Sequence, residues 1–173
     1  AKKIPRIKLL SLSIFFLFLP LFSYSAPEFS SAEYADANVR TIQFEKEGWK
    51  LAYPFLQPGS GEEMILSFDV IDGEGGTLWY TVSHCDRDWN RSDLFTSDYL
   101  EGFEENQVTD FHPSFNTKTN YTHYRLSLPN NDIRFLISGN YVITFWEAGD
   151  PETAILVRRF FISEGTTSAA VNF

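Results

Sequence analysis

The chain has 173 residues, of which 43% are hydrophobic and 17% aromatic, and its single cysteine excludes an internal disulfide. Its 23 acidic and 14 basic residues give a formal net charge of −9. A surface of this sign repels phosphate groups, so we expect neither nucleic acid nor an anionic membrane surface as a partner.

The first 25 residues predict a signal peptide. A basic region, comprising Lys2, Lys3, Arg6 and Lys8, precedes an apolar run of 14 residues at 9–22, and a small–x–small cleavage pattern follows at 23–25. The alternative is a membrane anchor, but a span needs about 20 apolar residues, so we expect export and no direct membrane insertion. Cleavage after residue 25 leaves 10 basic and 23 acidic residues, a net charge of −13.

A mobile segment and then a β domain are predicted next. Residues 26–38 are small and polar without periodicity, which predicts mobility. From residue 39 to residue 163 the pattern indicates extended segments at 39–44, 49–53, 62–71, 77–85, 122–128, 139–146 and 153–162. In the clearest of them Met64, Leu66, Phe68 and Val70 share one face, the period of two of a half-buried strand. Glycines at 73, 75 and 76 predict a tight turn, and residues 164–173 predict a linker to a further C-terminal region.

About seven short strands without a helical period predict an all-β fold, an immunoglobulin-like two-sheet β-sandwich with a long aromatic and acidic insertion. A tyrosine just inside a late strand of such a sandwich often bonds back to the preceding corner, and Tyr141 fits that arrangement. A plain core tyrosine fits nearly as well.

The insertion spans residues 86–121, which is long for a connection between strands and therefore predicts structure of its own and often function. Helical turns are expected at 92–95 and 97–101. The segment has eight acidic residues against three basic ones, and its aromatic residues are Trp89, Phe95, Tyr99, Phe103, Phe111, Phe115 and Tyr121. One interpretation is a protein-binding surface with Trp89, Tyr99 and Phe103 as anchors. The other is a small apolar cluster folded inward under the long loop.

His84 and Cys85 invite comparison with a catalytic base and its thiol. Neighbours on a strand point to opposite faces, so these two cannot easily pair, and nothing in the sequence brings His112 or His123 to the thiol. The same four residues match no zinc-binding spacing. Because free cysteine is usually buried, we predict that Cys85 is structural, that the chain is not an enzyme, and that it uses no small-molecule substrate and no cofactor.

Asp86, Asp88 and Asn90 resemble the start of a calcium-binding loop. The helix–loop–helix version needs glycine at its sixth position and glutamate at its twelfth, where this chain has Arg91 and Ser97. Two interpretations stay open. One is a non-standard calcium site formed by Asp86, Asp88, Asn90 and Asp93, and the other is a tight turn in which Asp and Asn bond their own backbone.

Several short motifs then occur in a fixed order. They are Tyr-Pro-Phe-Leu-Gln-Pro-Gly-Ser-Gly-Glu at 53–62, Leu-Ser-Phe-Asp at 66–69, His-Cys-Asp-Arg-Asp-Trp-Asn at 84–90, Ser-Asp-Tyr-Leu-Glu-Gly-Phe at 97–103, Tyr-Thr-His-Tyr at 121–124 and Ser-Gly-Asn-Tyr at 138–141. Together they resemble the type IX secretion system plug protein family over roughly residues 39–163. The motif residues that we predict to be structural are His84, Cys85, Asp86, Asp88, Trp89, Asn90 and Tyr141.

The resemblance implies a non-catalytic protein of the periplasm, associated with the outer membrane, in gliding and related bacteria. Its implied partner is the outer-membrane translocon of the type IX system, whose periplasmic mouth plug proteins close. Plug proteins continue for at least another domain beyond this part. The alternative function is an exported carbohydrate-binding or accessory β-sandwich module, since exposed aromatic rings can stack on sugars.

Overall fold

A computed structural model describes residues 29–71 and 76–165. The predicted signal peptide at 1–25, most of the glycine turn and residues 166–173 lie outside the described residues. In the described part lie twelve strands and one short helix. The strands are β1 (Tyr34–Ala35), β2 (Val39–Lys46), β3 (Phe55–Leu56), β4 (Met64–Ile71), β5 (Leu78–Cys85), β6 (Leu100–Gly102), β7 (Glu105–Gln107), β8 (Asp110–Pro113), β9 (Tyr121–Leu128), β10 (Ile133–Phe135), β11 (Gly139–Glu147) and β12 (Asp150–Ile162), and the helix is α1 (Thr96–Tyr99).

The strands form two main sheets and one small one. The first sheet has the order β1-β12-β11-β5-β7, with β3 pairing in parallel with β12. The second sheet has the order β2-β4-β9-β8, and β10 pairs with β6. The prediction of an all-β sandwich is confirmed.

The core lies between the two main sheets. Strand β4 alternates between buried and half-buried positions, as its period of two predicted, so its apolar side chains face the first sheet. Phe68 of β4 meets Phe145 of β11 edge to face at 5.3 Å. Phe44 of β2 meets Phe160 of β12 at 5.6 Å. Aromatic pairs from opposite sheets therefore fix the spacing of the sandwich.

Part of the N-terminal segment predicted to be mobile makes contacts with the last strand. Residues Tyr34–Ala35 pair with β12, and the backbone carbonyl of Ser31 accepts a 2.7 Å hydrogen bond from Nε of Arg159. Phe29 packs against a buried cluster on the outer face of the first sheet. The physical reason is that β12 is 13 residues long and its outer edge offers hydrogen-bonding groups to any segment that reaches it.

The strand predicted at 49–53 is wrong. This stretch forms a turn in which Leu51 has a positive φ of 64°. Its one β-bridge joins Trp49 to Lys46, and the next strand is β3. Its apolar residues at every second position mimic a half-buried strand, but Leu51 is 97% exposed.

The 86–121 segment is part of both sheets rather than a free insertion. Strand β7 pairs with β5 in the first sheet, and β8 pairs with β9 in the second. The helical turn predicted at 97–101 corresponds to α1, whose first turn is fixed by the backbone N–H of Phe95 donating to the Asp98 carboxylate at 3.0 Å. Within residues 29–71 and 76–165, no helix combines the length and hydrophobicity that crossing a membrane requires.

Candidate functional site

The motif at 84–90 ends β5 in a tight turn organised by one carboxylate. Oδ1 of Asp86 accepts hydrogen bonds from the backbone N–H groups of Asp88 at 2.8 Å and Asn90 at 2.9 Å. The Asn90 side chain also donates to this carboxylate, and these bonds lower the pKa of Asp86. Asn140 of β11 donates to the Asp86 backbone carbonyl at 2.8 Å. The turn interpretation accounts for these oxygens, and no group of three His, Cys, Asp or Glu side chains in the described residues could hold a metal ion.

Trp89, at the tip of this turn, covers the outer face of the first sheet. Its φ of 66° is unusual for a bulky residue, and a left-handed backbone costs about 1–2 kcal/mol. The indole packs edge to face against Phe161 at 5.4 Å, and the Arg159 guanidinium lies 4.3 Å from its ring centroid. These contacts offset the backbone cost, and they show that much of Trp89 is engaged within the chain.

His84 points to the opposite side, into the core. Its ring meets that of Tyr141 edge to face at 5.1 Å, and Nδ1 hydrogen-bonds with the Ser92 hydroxyl at 3.0 Å. Burial lowers the pKa of His84, so it favours the neutral imidazole. A Cβ at Gly139 would overlap this ring, so the glycine of the 138–141 motif is required by the histidine of the 84–90 motif. The sequence alone did not reveal this link.

Cys85 faces the outer cluster, away from the imidazole of His84. It is 2% exposed and packs with Val142 and Val157. Burial, with a smaller contribution from Asp86, raises the pKa of the Cys85 thiol to about 11. Such a thiol is protonated at neutral pH and is a poor nucleophile. The other two histidines lie in the second sheet, on β8 and β9.

We expect a water-soluble thiol reagent to react slowly with native Cys85 at pH 8 to 10. An unfolded thiol with a pKa near 9.0 would be largely ionised at the upper end of this range, whereas the native thiol stays protonated and covered. Absorbance of the released chromophore, with and without denaturant, measures both rates. Rapid native labelling at pH 8 would contradict the structural role.

Tyr141 joins the two motifs through its ring and its hydroxyl. The side chain is fully buried, and its hydroxyl donates to the Ile137 carbonyl at 2.8 Å, four residues earlier in the chain. This is the corner hydrogen bond that the sequence suggested. Burial raises the pKa of Tyr141 well above its usual range, so the hydroxyl remains a donor at all physiological pH values.

The three predicted anchors have different surroundings. Tyr99 is 2% exposed, and its hydroxyl donates to the Val82 carbonyl at 3.3 Å, so its prediction as an anchor is wrong. Helix α1 turns its ring into the core because the adjacent strand β6 pairs with β10 over that end of the sandwich. Trp89 is partly buried, as described above. Phe103 is 75% exposed and lies between β6 and β7.

A second exposed group escaped the sequence analysis. Trp49, Leu51, Tyr53 and Phe55 are 67%, 97%, 81% and 40% exposed. The sequence predicted an extended segment at 49–53 but gave no indication that these side chains are exposed.

Comparison with known proteins identifies the family. The family described as type 9 secretion system plug protein 1st domain matches residues 39–164. The chain belongs to this plug protein family. The plug-family match begins at β2 and ends just after β12, so it includes both main sheets except for β1. It connects the chain with type IX secretion.

A solved structure supports the plug-family fold. A hypothetical protein from Parabacteroides merdae is 30% identical, with a TM-score of 0.74, over 79% of this chain and 35% of that chain. This chain therefore spans about a third of the length of that relative. An alkylpurine DNA glycosylase, AlkC, of Pseudomonas fluorescens bound to DNA is 13% identical over 73% of this chain and 30% of that one. Its TM-score of 0.35 is too low to indicate a shared fold. A search of curated proteins found no match.

Proposed function

We propose that this chain is a non-catalytic periplasmic subunit of the type IX secretion system that binds the outer-membrane translocon and plugs it. The observation that carries the proposal is the plug-family match over residues 39–164. The 84–90 motif, whose cysteine invited comparison with a catalytic thiol, instead forms a tight turn. Its Cys85 and Trp89 side chains pack into the cluster on the outer face of the first sheet.

The physical properties of the domain suit this role. A plug must hold its shape and must bind one state of a pore better than another. Among the described residues, every buried side-chain nitrogen and oxygen has a hydrogen-bond partner, which favours a single rigid arrangement. The net charge of −13 after residue 25 steers the domain toward a basic rim.

Phe103 is the best placed anchor of the 86–121 segment. Its side chain is exposed, while its carbonyl accepts a 2.9 Å hydrogen bond from the Asn106 side chain, so the backbone that presents the ring is held. Charged pairs lie on both sides of it, Glu101 with Arg134 and Glu104 with Arg91. An exposed ring within a charged rim is the arrangement of many binding hot spots.

The test is affinity purification of the tagged chain from its own bacterium, with mass spectrometry of the proteins recovered from the outer membrane. The expected result is a large outer-membrane barrel of the type IX system. Deleting the gene should also make the outer membrane more permeable to large antibiotics, because a pore is left open. Recovery of no barrel would contradict the proposal, and recovery of glycans instead would favour the carbohydrate-binding alternative.

We expect Phe103→Ala to weaken barrel binding by about 2 kcal/mol, roughly 30-fold, while the melting temperature stays close to that of the unaltered chain. The matched control is Phe115→Ala, because Phe115 is 93% exposed in the β8–β9 connection. Titration of the purified barrel with both variants gives the affinities. Equal affinities for the two variants would show that Phe103 is not an anchor.

A further inference from the structure

Four large apolar side chains lie exposed within seven residues at the start of the domain. They are Trp49, Leu51, Tyr53 and Phe55, which we call the 49–55 patch. Single exposed apolar residues are normal, but a contiguous group marks a surface that another surface covers. Leu51 is almost completely exposed although the chain holds it in a strained backbone conformation with a φ of 64°.

The patch borders a groove beside an open sheet edge. The groove has a volume of about 570 Å³ and is lined by Ile42 and Phe44 of β2 on one side and by residues 50–54 on the other. In the described part of the chain, β2 ends the second sheet and has a paired strand on one side only. Such an edge offers backbone donors and acceptors, which an extended polypeptide matches better than any other ligand.

The patch is fixed in place rather than loosely attached. The backbone N–H of Leu51 donates to the Glu45 carboxylate at 2.9 Å, which ties the turn to β2. The carbonyl of Pro54 accepts a 2.9 Å hydrogen bond from the N–H of Phe161, which ties the other end to β12. Because the segment is held at both ends before a partner arrives, binding costs little conformational entropy.

The described chain ends beside Leu56 and Gln57, directly after this patch in the sequence. Strand β3 runs parallel to the end of β12, with Leu56 opposite Ile162. The N–H of Ser163 donates to the Leu56 carbonyl at 2.9 Å, and the Gln57 side chain donates to the Glu164 carbonyl at 3.2 Å. Two more grooves, of about 330 and 440 Å³, border residues 55–63 at this same end of the domain. Residues 163 and 164, which directly follow β12, therefore lie beside Leu56 and Gln57, the two residues that follow the patch in the sequence.

We propose that the 49–55 patch and the edge of β2 bind the polypeptide that follows this domain in the same protein. The matching family domain is a first domain, and the Parabacteroides merdae relative has about two thirds of its chain outside the matched part. A tethered segment reaches an effective concentration in the millimolar range, so a patch of modest size suffices. A second copy of the chain is a poorer occupant, because the net charge of −13 opposes self-association.

Hydrogen–deuterium exchange tests this proposal without the translocon, so its outcome is separate from that of the proposed function. The comparison is between the chain ending at Phe173 and the entire product of its gene. The hydrophobic core of the shorter chain is complete within residues 39–162. We expect the amides of residues 42–45 and 50–53 to exchange about 10-fold or more slowly in the entire product, because the following polypeptide covers them.

Variants of the entire product make the test specific. The double variant Leu51→Ser with Tyr53→Ser should remove the protection, and the control Phe115→Ser, on an equally exposed ring in the β8–β9 connection, should retain it. Both should melt like the unaltered protein when the chain ends at Phe173. Three results would overturn the proposal. The gene could end at Phe173, the amides of residues 42–45 and 50–53 could exchange equally fast in the two proteins, or their protection could require added translocon.

Discussion

Replacing Tyr141 by alanine is expected to lower the free energy of unfolding by about 3–5 kcal/mol, the range for removing a large buried aromatic ring. The ring stacks on Phe160 at 5.4 Å and meets Phe135 edge to face at 5.2 Å, so it joins the first sheet to the small β6–β10 sheet. Urea denaturation followed by circular dichroism measures the loss. A cavity at this position would be lined by aromatic rings from four elements, β5, α1, β10 and β12, so no single element can move to fill it.

Tyr141→Phe separates the hydroxyl from the ring. It keeps the packing but leaves the Ile137 carbonyl without its donor, so we expect a smaller loss of about 1–3 kcal/mol. The matched control is Tyr53→Ala, because Tyr53 is 81% exposed, and it should change stability by less than about 0.5 kcal/mol. A Tyr141→Ala variant as stable as this control would disprove the central role of the ring.

Replacing Gly102 by alanine is expected to cost about 3 kcal/mol or more. Gly102 has a φ of 130°, and a Cβ there would overlap the Asp132 carbonyl oxygen and approach its carbon to 3.0 Å. The obstacle is backbone of the opposing strand pair, in which Gly102 faces Ile133, so it cannot rotate away. Overpacking costs about 1–3 kcal/mol and a strained φ about as much again.

The control for this prediction is Gly149→Ala, because no atom lies within 4 Å of a Cβ at that position. It should change stability by less than about 0.5 kcal/mol. Thermal unfolding of both variants gives the comparison. If Gly102→Ala has the same melting temperature as Gly149→Ala, the contact between Gly102 and the backbone of Asp132 is less close than the structure shows.

The long strands were predictable because each carries its own signal. Strands β4, β5 and β9 have eight residues each with apolar side chains largely in alternation, and β11 has nine residues with a nearly continuous apolar run. Neither signal requires knowledge of the partner strands. Strands β6, β7 and β8 have only three or four residues, largely polar, and they exist because long neighbours offer them an edge. A local pattern cannot report an edge supplied by a strand distant in sequence.

The candidate site was predictable to the extent that its contacts are local. The Asp86 turn and the Tyr141 corner involve residues four apart, and the sequence suggested both. The burial of Tyr99 depends on Val82 and Tyr141, which are 17 and 42 positions away, so an aromatic residue in an acidic segment was taken for a surface anchor. The 49–55 patch was missed because the sequence predicted only an extended segment at 49–53, and the exposure of its side chains depends on what the rest of the fold leaves uncovered.

The pairing of β1 with β12 has a consequence for the order of folding. Tyr34 lies opposite Val157, so the first strand of the described chain must wait for the last one before its hydrogen bonds can form. During synthesis the second sheet can begin at β2 and β4, but the first sheet stays incomplete until the whole domain has emerged. Contacts between such distant positions slow folding. A nascent chain of this design stays incompletely folded for longer than one in which neighbouring strands pair as they appear.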